Sequence, residues 1–189
     1  MRILYVIVKY LTVVGTFSKA FFEHLSCRIY EVIIEDGRYL PPTEMCGHVE
    51  HEIIKKRPVC FGVCFFPFMF SLIIGLVFLS AGSMNVYFLG EFFVKDTHIP
   101  NFLNYVFLWL GISFLTNLFP SLEDAIALKE LIYNKETNIF VKIIAAPIFA
   151  VLYCGAYLEH YGVTLLTSIA FSLALPSIYS ALFTALHLV

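Results

Sequence analysis

Charge is scarce in this chain, and whole stretches carry none. Residues 58–90, 97–122, 143–158 and 161–189 contain no Asp, Glu, Lys or Arg. Only 14% of the residues are charged, against about 25% in soluble domains. That shortage excludes an ordinary soluble globular domain. The net charge of −2 is too small to argue for a nucleic-acid partner. Glycine-rich phosphate loops, a GxSxG elbow and a basic surface interleaved with aromatics are all missing. The five cysteines include no CxxC pair of the zinc-ribbon kind. Cys60 and Cys64 are four apart, on one face of an expected helix, and read as small buried hydrophobes. No disulfide framework is indicated. Gly155 and Gly162 are too far apart for a GxxxG contact, and Ser177 and Ser180 are placed to hydrogen-bond between helices.

What is present is hydrophobic: 60% of the residues are apolar and 17% aromatic. A bilayer crossing takes about 20 mostly apolar residues. The sequence therefore predicts an all-α polytopic membrane protein, one membrane domain over 1–189, with about five transmembrane helices. They fall at about 3–22, 58–80, 101–119, 139–158 and 163–188. Lys9 interrupts the first apolar run and no cleavage site with a polar mature domain follows, so that run is expected to be a retained span rather than a signal peptide. Pro147 and Pro176 are expected to kink the last two.

Between the first two spans lies the one long polar stretch, 31–57. Short β-favouring runs at 31–35 and 46–54 are separated by Asp36-Gly37 and Pro41-Pro42, which are turn signals. They predict a small β-hairpin. After the third span, residues 120–134 predict an amphipathic helix with Ser121 as N-cap and Glu123 and Asp124 in its first turn. Arg28, Arg38, Lys55, Lys56 and Arg57 cluster around the hairpin, and Lys129, Lys135 and Lys142 follow the third span. The 82–100 loop has only Lys95. The positive-inside rule then places the hairpin and the amphipathic helix in the cytoplasm and the N-terminus outside.

Against this background, ionisable groups inside the apolar runs stand out. Lys19 and Glu23 are four apart and share a helix face. One reading is a neutralising pair near the interface, helped by lysine snorkelling. The other is a site, since intramembrane ionisable residues mark function. Lys19, Glu23, His24, Asn117 and Asp124 are then the candidate pocket, with Lys19 held against two carboxylates. His48 and His51 could share a metal in a helix but point to opposite faces of a strand. Strand is favoured here, so both are expected to be exposed. His98, His160 and His187 are isolated.

Three segments carry a resemblance. Residues 15–28 (GTFSKAFFEHLSCR), 47–52 (GHVEHE) and 117–124 (NLFPSLED) resemble GTFLHELSHALACR, GYVEHE and HxxPSxxD in a family of small bacterial and archaeal membrane proteins related to site-2-type intramembrane zinc metalloproteases. In that family two histidines and a later aspartate hold zinc, and a glutamate acts as general base. The resemblance implies that Lys19 and Glu23 stand at the histidine positions and Ala20 at the base position. Asn117 replaces a further histidine, and only Asp124 is kept. A protonated lysine cannot ligate zinc, and alanine cannot move a proton. The expectation is a non-catalytic, protease-like protein of a prokaryotic cytoplasmic membrane, without metal or other cofactor. It would contact lipid and a transmembrane or extended peptide client, pairing through the strand with His48, Glu50 and His51. The alternatives are a zinc hydrolase with an unorthodox site at Glu23, His24 and Asp124, or a small transporter or proton relay using Lys19, Glu23 and Asp124.

Overall fold

A computed structural model describes residues 2–41, 46–94, 100–134 and 137–185. Seven α-helices and one two-stranded sheet make up the described chain. The helices are α1 (Arg2–Leu11), α2 (Val13–Ile29), α3 (Arg57–Ser83), α4 (Phe102–Thr116), α5 (Leu122–Ile132), α6 (Ile139–His160) and α7 (Val163–Ala185). The strands are β1 (Ile34–Arg38) and β2 (His48–His51). Three helices are long and apolar enough to cross a membrane: α3 with its π-helical extension to Phe88, α6 and α7. The helix after residue 101 is 15 residues long and apolar.

The first apolar run is broken. Residues 3–11 and 13–29 meet at 93°, just after Lys9 interrupts the apolar run. Thr12 adopts a non-helical conformation at the bend. The polar groups freed there find partners. Asn117 Nδ2 donates to Thr12 Oγ1 (2.8 Å), and the Thr16 hydroxyl donates to the Lys9 carbonyl (2.9 Å). Broken helices persist at membrane depth when side chains satisfy the opened backbone in this way.

α3 and α4 pack antiparallel at close range. The missing side chains of Gly82 and Gly111 let the backbone of one helix approach the other, the small-residue packing of membrane helices. Leu79, Leu115, Leu118 and Leu175 join α3, α4 and α7 in one apolar cluster. A second cluster, Cys60, Cys64, Leu128, Ile132, Phe149 and Leu152, ties the start of α3 to α5 and α6. Ser177 and Ser180 are exposed. The α7 hydroxyls that meet other helices among the described residues include Ser168, which accepts from Thr116, and Tyr179, 2.8 Å from Ser80 Oγ; the Ser172 carbonyl accepts from Ser83.

α5 and α6 run away from the end of α4 and back to it. Glu159, in the last turn of α6, accepts the Phe119 N–H at 2.9 Å, and Gly155 lies against the Phe119 ring. Strict alternation of five spans would put Glu159 across the membrane from Asp124. The structure instead brings the ends of α4 and α6 together.

The hairpin is shifted from the sequence expectation. β1 starts at Ile34, not residue 31, because Glu31 takes a positive φ (56°) as the chain leaves α2. Asp36 and Gly37, expected as a turn, lie within β1, with a register irregularity between Ile34 and Asp36. The strands are antiparallel, Gly37 opposite Val49 and Arg38 opposite His48. Residues 42–45, 95–99 and 135–136, which include Lys95, His98 and Lys135, lie outside the described residues, as does His187.

Candidate functional site

Two ionic clusters meet where the α1–α2 bend, the end of α4, β2, the start of α5 and the end of α6 converge. The first is centred on Glu159. Its Oε1 accepts from Lys9 Nζ at 2.6 Å and from Lys19 Nζ at 2.7 Å, and its Oε2 takes the Phe119 amide. Lys9 also donates to Asn117 Oδ1 at 2.8 Å, and Thr16 Oγ1 lies 3.1 Å from the same oxygen. All these groups are buried; Lys9 is 1% exposed. A buried charge is tolerated only when paired and hydrogen-bonded. Here Glu159 is shared by two ammonium groups.

This overturns the expected partners of Lys19. Its described ion pair is with Glu159, not Glu23 or Asp124. Lys9 and Glu159 were missed as site residues. The signal was available: Glu159 is the only acidic residue after position 136, and Lys9 the only cation between Arg2 and Lys19. Isolated charges in apolar runs need a partner, and these two find each other.

The second cluster joins α2, β2 and α5. Glu23 Oε2 lies 2.8 Å from His48 Nδ1 and accepts the Val49 N–H at 3.1 Å. His48 Nδ1 is 3.9 Å from Asp124 Oδ2, and His51 Nε2 is 3.2 Å from Asp124 Oδ1. Asp124 is presented by the first turn of α5, whose cap holds: Ser121 Oγ accepts the Asp124 N–H at 3.1 Å. Glu23 Oε1 is buried with no hydrogen-bond partner among the described residues.

The two histidines are neither exposed nor on opposite faces. His48 is buried, and the two rings are 6.3 Å apart. Strand alternation fails because β2 ends at His51, opposite the irregularity in β1, and such bulges add local twist that re-aims side chains. His24 stands apart. Its ring neighbours Tyr39, and its buried Nδ1 has no partner among the described residues.

The electrostatics follow from these contacts. His51 is pushed up to about 9, chiefly by its hydrogen bond to Asp124, against the opposing effect of burial. Burial pulls the His48 imidazole down, but the adjacent Glu23 carboxylate outweighs it and leaves His48 raised. Burial pushes the Asp124 carboxyl up, yet the His51 hydrogen bond and the nearby imidazoles hold it below the usual carboxylate range.

A cavity of about 130 Å³ lies between the clusters, lined by Tyr5, Lys19, His48, Ser121, Glu159 and His160 among others. β2 faces α2, since the Val49 amide is taken by Glu23. The strand that faces outward is β1, with Glu35, Asp36 and Gly37 exposed.

No family model, curated protein or solved structure matches the chain. The likeness to the metalloprotease group rests on the three motifs. The zinc that it implies does not fit the positions the resemblance assigns, because Lys19 is committed to Glu159 and Ala20 is a buried methyl group. A different donor set, Glu23, His48 and Asp124, has ligand atoms within 4.8 Å of one another.

Proposed function

We propose that this chain is a non-proteolytic, membrane-embedded relative of the intramembrane metalloproteases that binds an extended peptide segment of a membrane client. The observation that carries the reading is the Lys19–Glu159 ion pair. It fills the first ligand position with a saturated cation, beside an alanine where a base would stand. A fold that keeps its polar chamber without a base is suited to holding a client, not to cutting it. Lys/Arg bias supports a hairpin on the cytoplasmic side of a cell membrane of prokaryotic type, while the return of α6 to the end of α4 speaks against five alternating crossings.

Pairing by strand addition uses an open sheet edge. His48, Glu50 and His51 face the wrong way for that role, so the pairing strand is β1. In an antiparallel ladder alternate residues turn their backbone groups toward or away from the partner strand. Val49 turns its amide away from β1, to Glu23, so Gly37 opposite it faces the open side.

The test uses a synthetic peptide with one apolar span and an extended, β-forming flank, labelled with a fluorophore, and the full chain in nanodiscs. Saturable binding without cleavage is expected. Gly37→Pro, which removes the outward N–H, should weaken it at least tenfold. Cleavage of the peptide, or undiminished binding by the proline variant, would defeat the proposal. The hydrolase alternative is favoured by the convergence of Glu23, His48 and Asp124; a metal held there would supply Lewis-acid polarisation and an activated water. His24 has no part in that cluster. The relay reading has less support, since Lys19 pairs outside the Glu23–Asp124 group.

A further inference from the structure

We propose that Glu23, His48 and Asp124 form a three-ligand site for a zinc-type divalent cation, with His51 holding Asp124 from outside the ligand set. The proposal goes beyond client binding and does not depend on it.

The donors come from three separate elements, α2, β2 and α5, and still converge with ligand atoms within 4.8 Å. Neighbouring sequence positions do not explain that: residues 23, 48 and 124 are brought together only by the fold. Zinc–ligand bonds of about 2.0–2.2 Å set tetrahedral ligands about 3.4 Å apart. Two of the three spacings, 2.8 Å from Glu23 Oε2 to His48 Nδ1 and 3.9 Å from there to Asp124 Oδ2, bracket that value. With all three donor atoms within 4.8 Å of one another, small side-chain movements would accommodate an ion at such bond lengths.

Charge points the same way. The cluster holds two carboxylates whose described counter-groups are the His48 and His51 imidazoles alone; among the described residues no tethered Lys or Arg pairs with either, so a metal ion could take the place of the imidazole protons. Lys19, one helical turn from Glu23, is turned to Glu159. Glu23 is 4% exposed, and its Oε1 lacks any hydrogen-bond partner among the described residues. An unmet buried carboxylate oxygen is costly, and a cation bound by Glu23 through both oxygens would meet it. His51 against Asp124 Oδ1 is the outer contact that orients ligating carboxylates. A set of one imidazole and two carboxylates selects zinc or a similar first-row ion over calcium or magnesium, which take oxygen alone. The cavity lined by His48 leaves room for a fourth, non-protein ligand.

The site differs from the inherited one in the place where it gains a ligand. The first histidine position is lost to Lys19, and the lost donor is replaced from the hairpin by His48.

The test is a metal titration of the purified full chain in detergent, after chelation and dialysis. One Zn²⁺ per chain is expected, with Co²⁺ giving the intense visible absorption of a four-coordinate site. Glu23→Gln, His48→Ala and Asp124→Asn should each weaken binding at least tenfold, and His51→Ala about 10–100-fold. Glu130→Gln, an exposed acid on the same helix as Asp124, should leave affinity unchanged. Helicity and thermal unfolding report whether each variant is folded, and wild-type stoichiometry decides on its own if one is not. No ion retained by the wild type, or equal affinity in wild type, Glu23→Gln and His48→Ala, overturns the proposal. Peptide binding measured in chelator keeps the client reading separate: either can fail without the other.

Discussion

The two clusters share a helix and a cavity, yet they solve the problem of buried charge differently. Around Glu159 both carboxylate oxygens are hydrogen-bonded, and Lys9 and Lys19 converge on one of them. Around Glu23 and Asp124 the counter-groups are imidazoles, one carboxylate oxygen has no hydrogen-bond partner among the described residues, and the donors are all able to ligate. A lysine cluster is closed chemistry: its cations are tethered and cannot be exchanged. An imidazole–carboxylate cluster is open chemistry, because its counter-charge can be supplied from outside. The first region reads as a lock on the broken N-terminal span, the second as a place where something binds.

The sharpest way to break this contrast is to remove Glu159. Glu159→Gln leaves two buried ammonium groups without a counter-charge, and breaking a buried pair from one side costs about 3–5 kcal/mol. That is a large share of a typical stability of about 5–15 kcal/mol. Thermal unfolding in detergent should show the largest fall of any single substitution in either cluster. If the lock is real, Lys19→Met in the Glu159→Gln background should recover part of the loss. The coupling of Lys19 with Glu159 in a double-mutant cycle should also exceed its coupling with Glu23. The reverse order would restore the Lys19–Glu23 pair as the structural unit.

A smaller effect is expected at the contact that supports both clusters. Gly15 lies on α2 against α4; a Cβ there would run into the Ser113 carbonyl and the Asn117 amide. Its own N–H is accepted by Ser113 Oγ at 2.8 Å. Backbone cannot yield as a flexible side chain can. Gly15→Ala should therefore destabilise by about 1–3 kcal/mol, the usual cost of overpacking. It should also lower peptide and metal binding together. At Gly62 the nearest atoms a Cβ would meet belong to the exposed Tyr30 side chain just past α2, which can yield, so Gly62→Ala should cost less.

These outcomes bear on what the sequence could show. The helical membrane class was legible because uncharged runs of bilayer length leave few alternatives. The α5 cap was legible too, since Ser121 and the acids after it act through local hydrogen bonds. The bend at Thr12 was not, because no proline or glycine marks it and it is held by Asn117, more than a hundred positions away. Lys19 and Glu23 suggested a pair by helical spacing, but neither the return of α6 to the end of α4 nor the ammonium's reach to Glu159 has a local signature. The histidines misled for a related reason: alternation describes a regular strand, and β2 is four residues long, ending beside an irregularity.

The smallest effect sharpens the contrast most cleanly. Ser121 is the N-cap of α5 and accepts the Asp124 N–H at 3.1 Å. Ser121→Ala removes that acceptor while leaving every partner of Glu159 in place. Loss of such a cap costs about 1 kcal/mol, within a range of roughly 0.5–2, so the fall in thermal stability should be modest. The first turn of α5 would fray, and Asp124 with it, loosening its position against His48 and His51. Metal affinity should then drop several-fold, while the Lys19–Glu159 coupling energy measured in the Ser121→Ala background stays at its wild-type value. A cap substitution that changes that coupling as much as it changes metal binding would mean the two clusters act as one unit, and the division into a lock and an open site would fall.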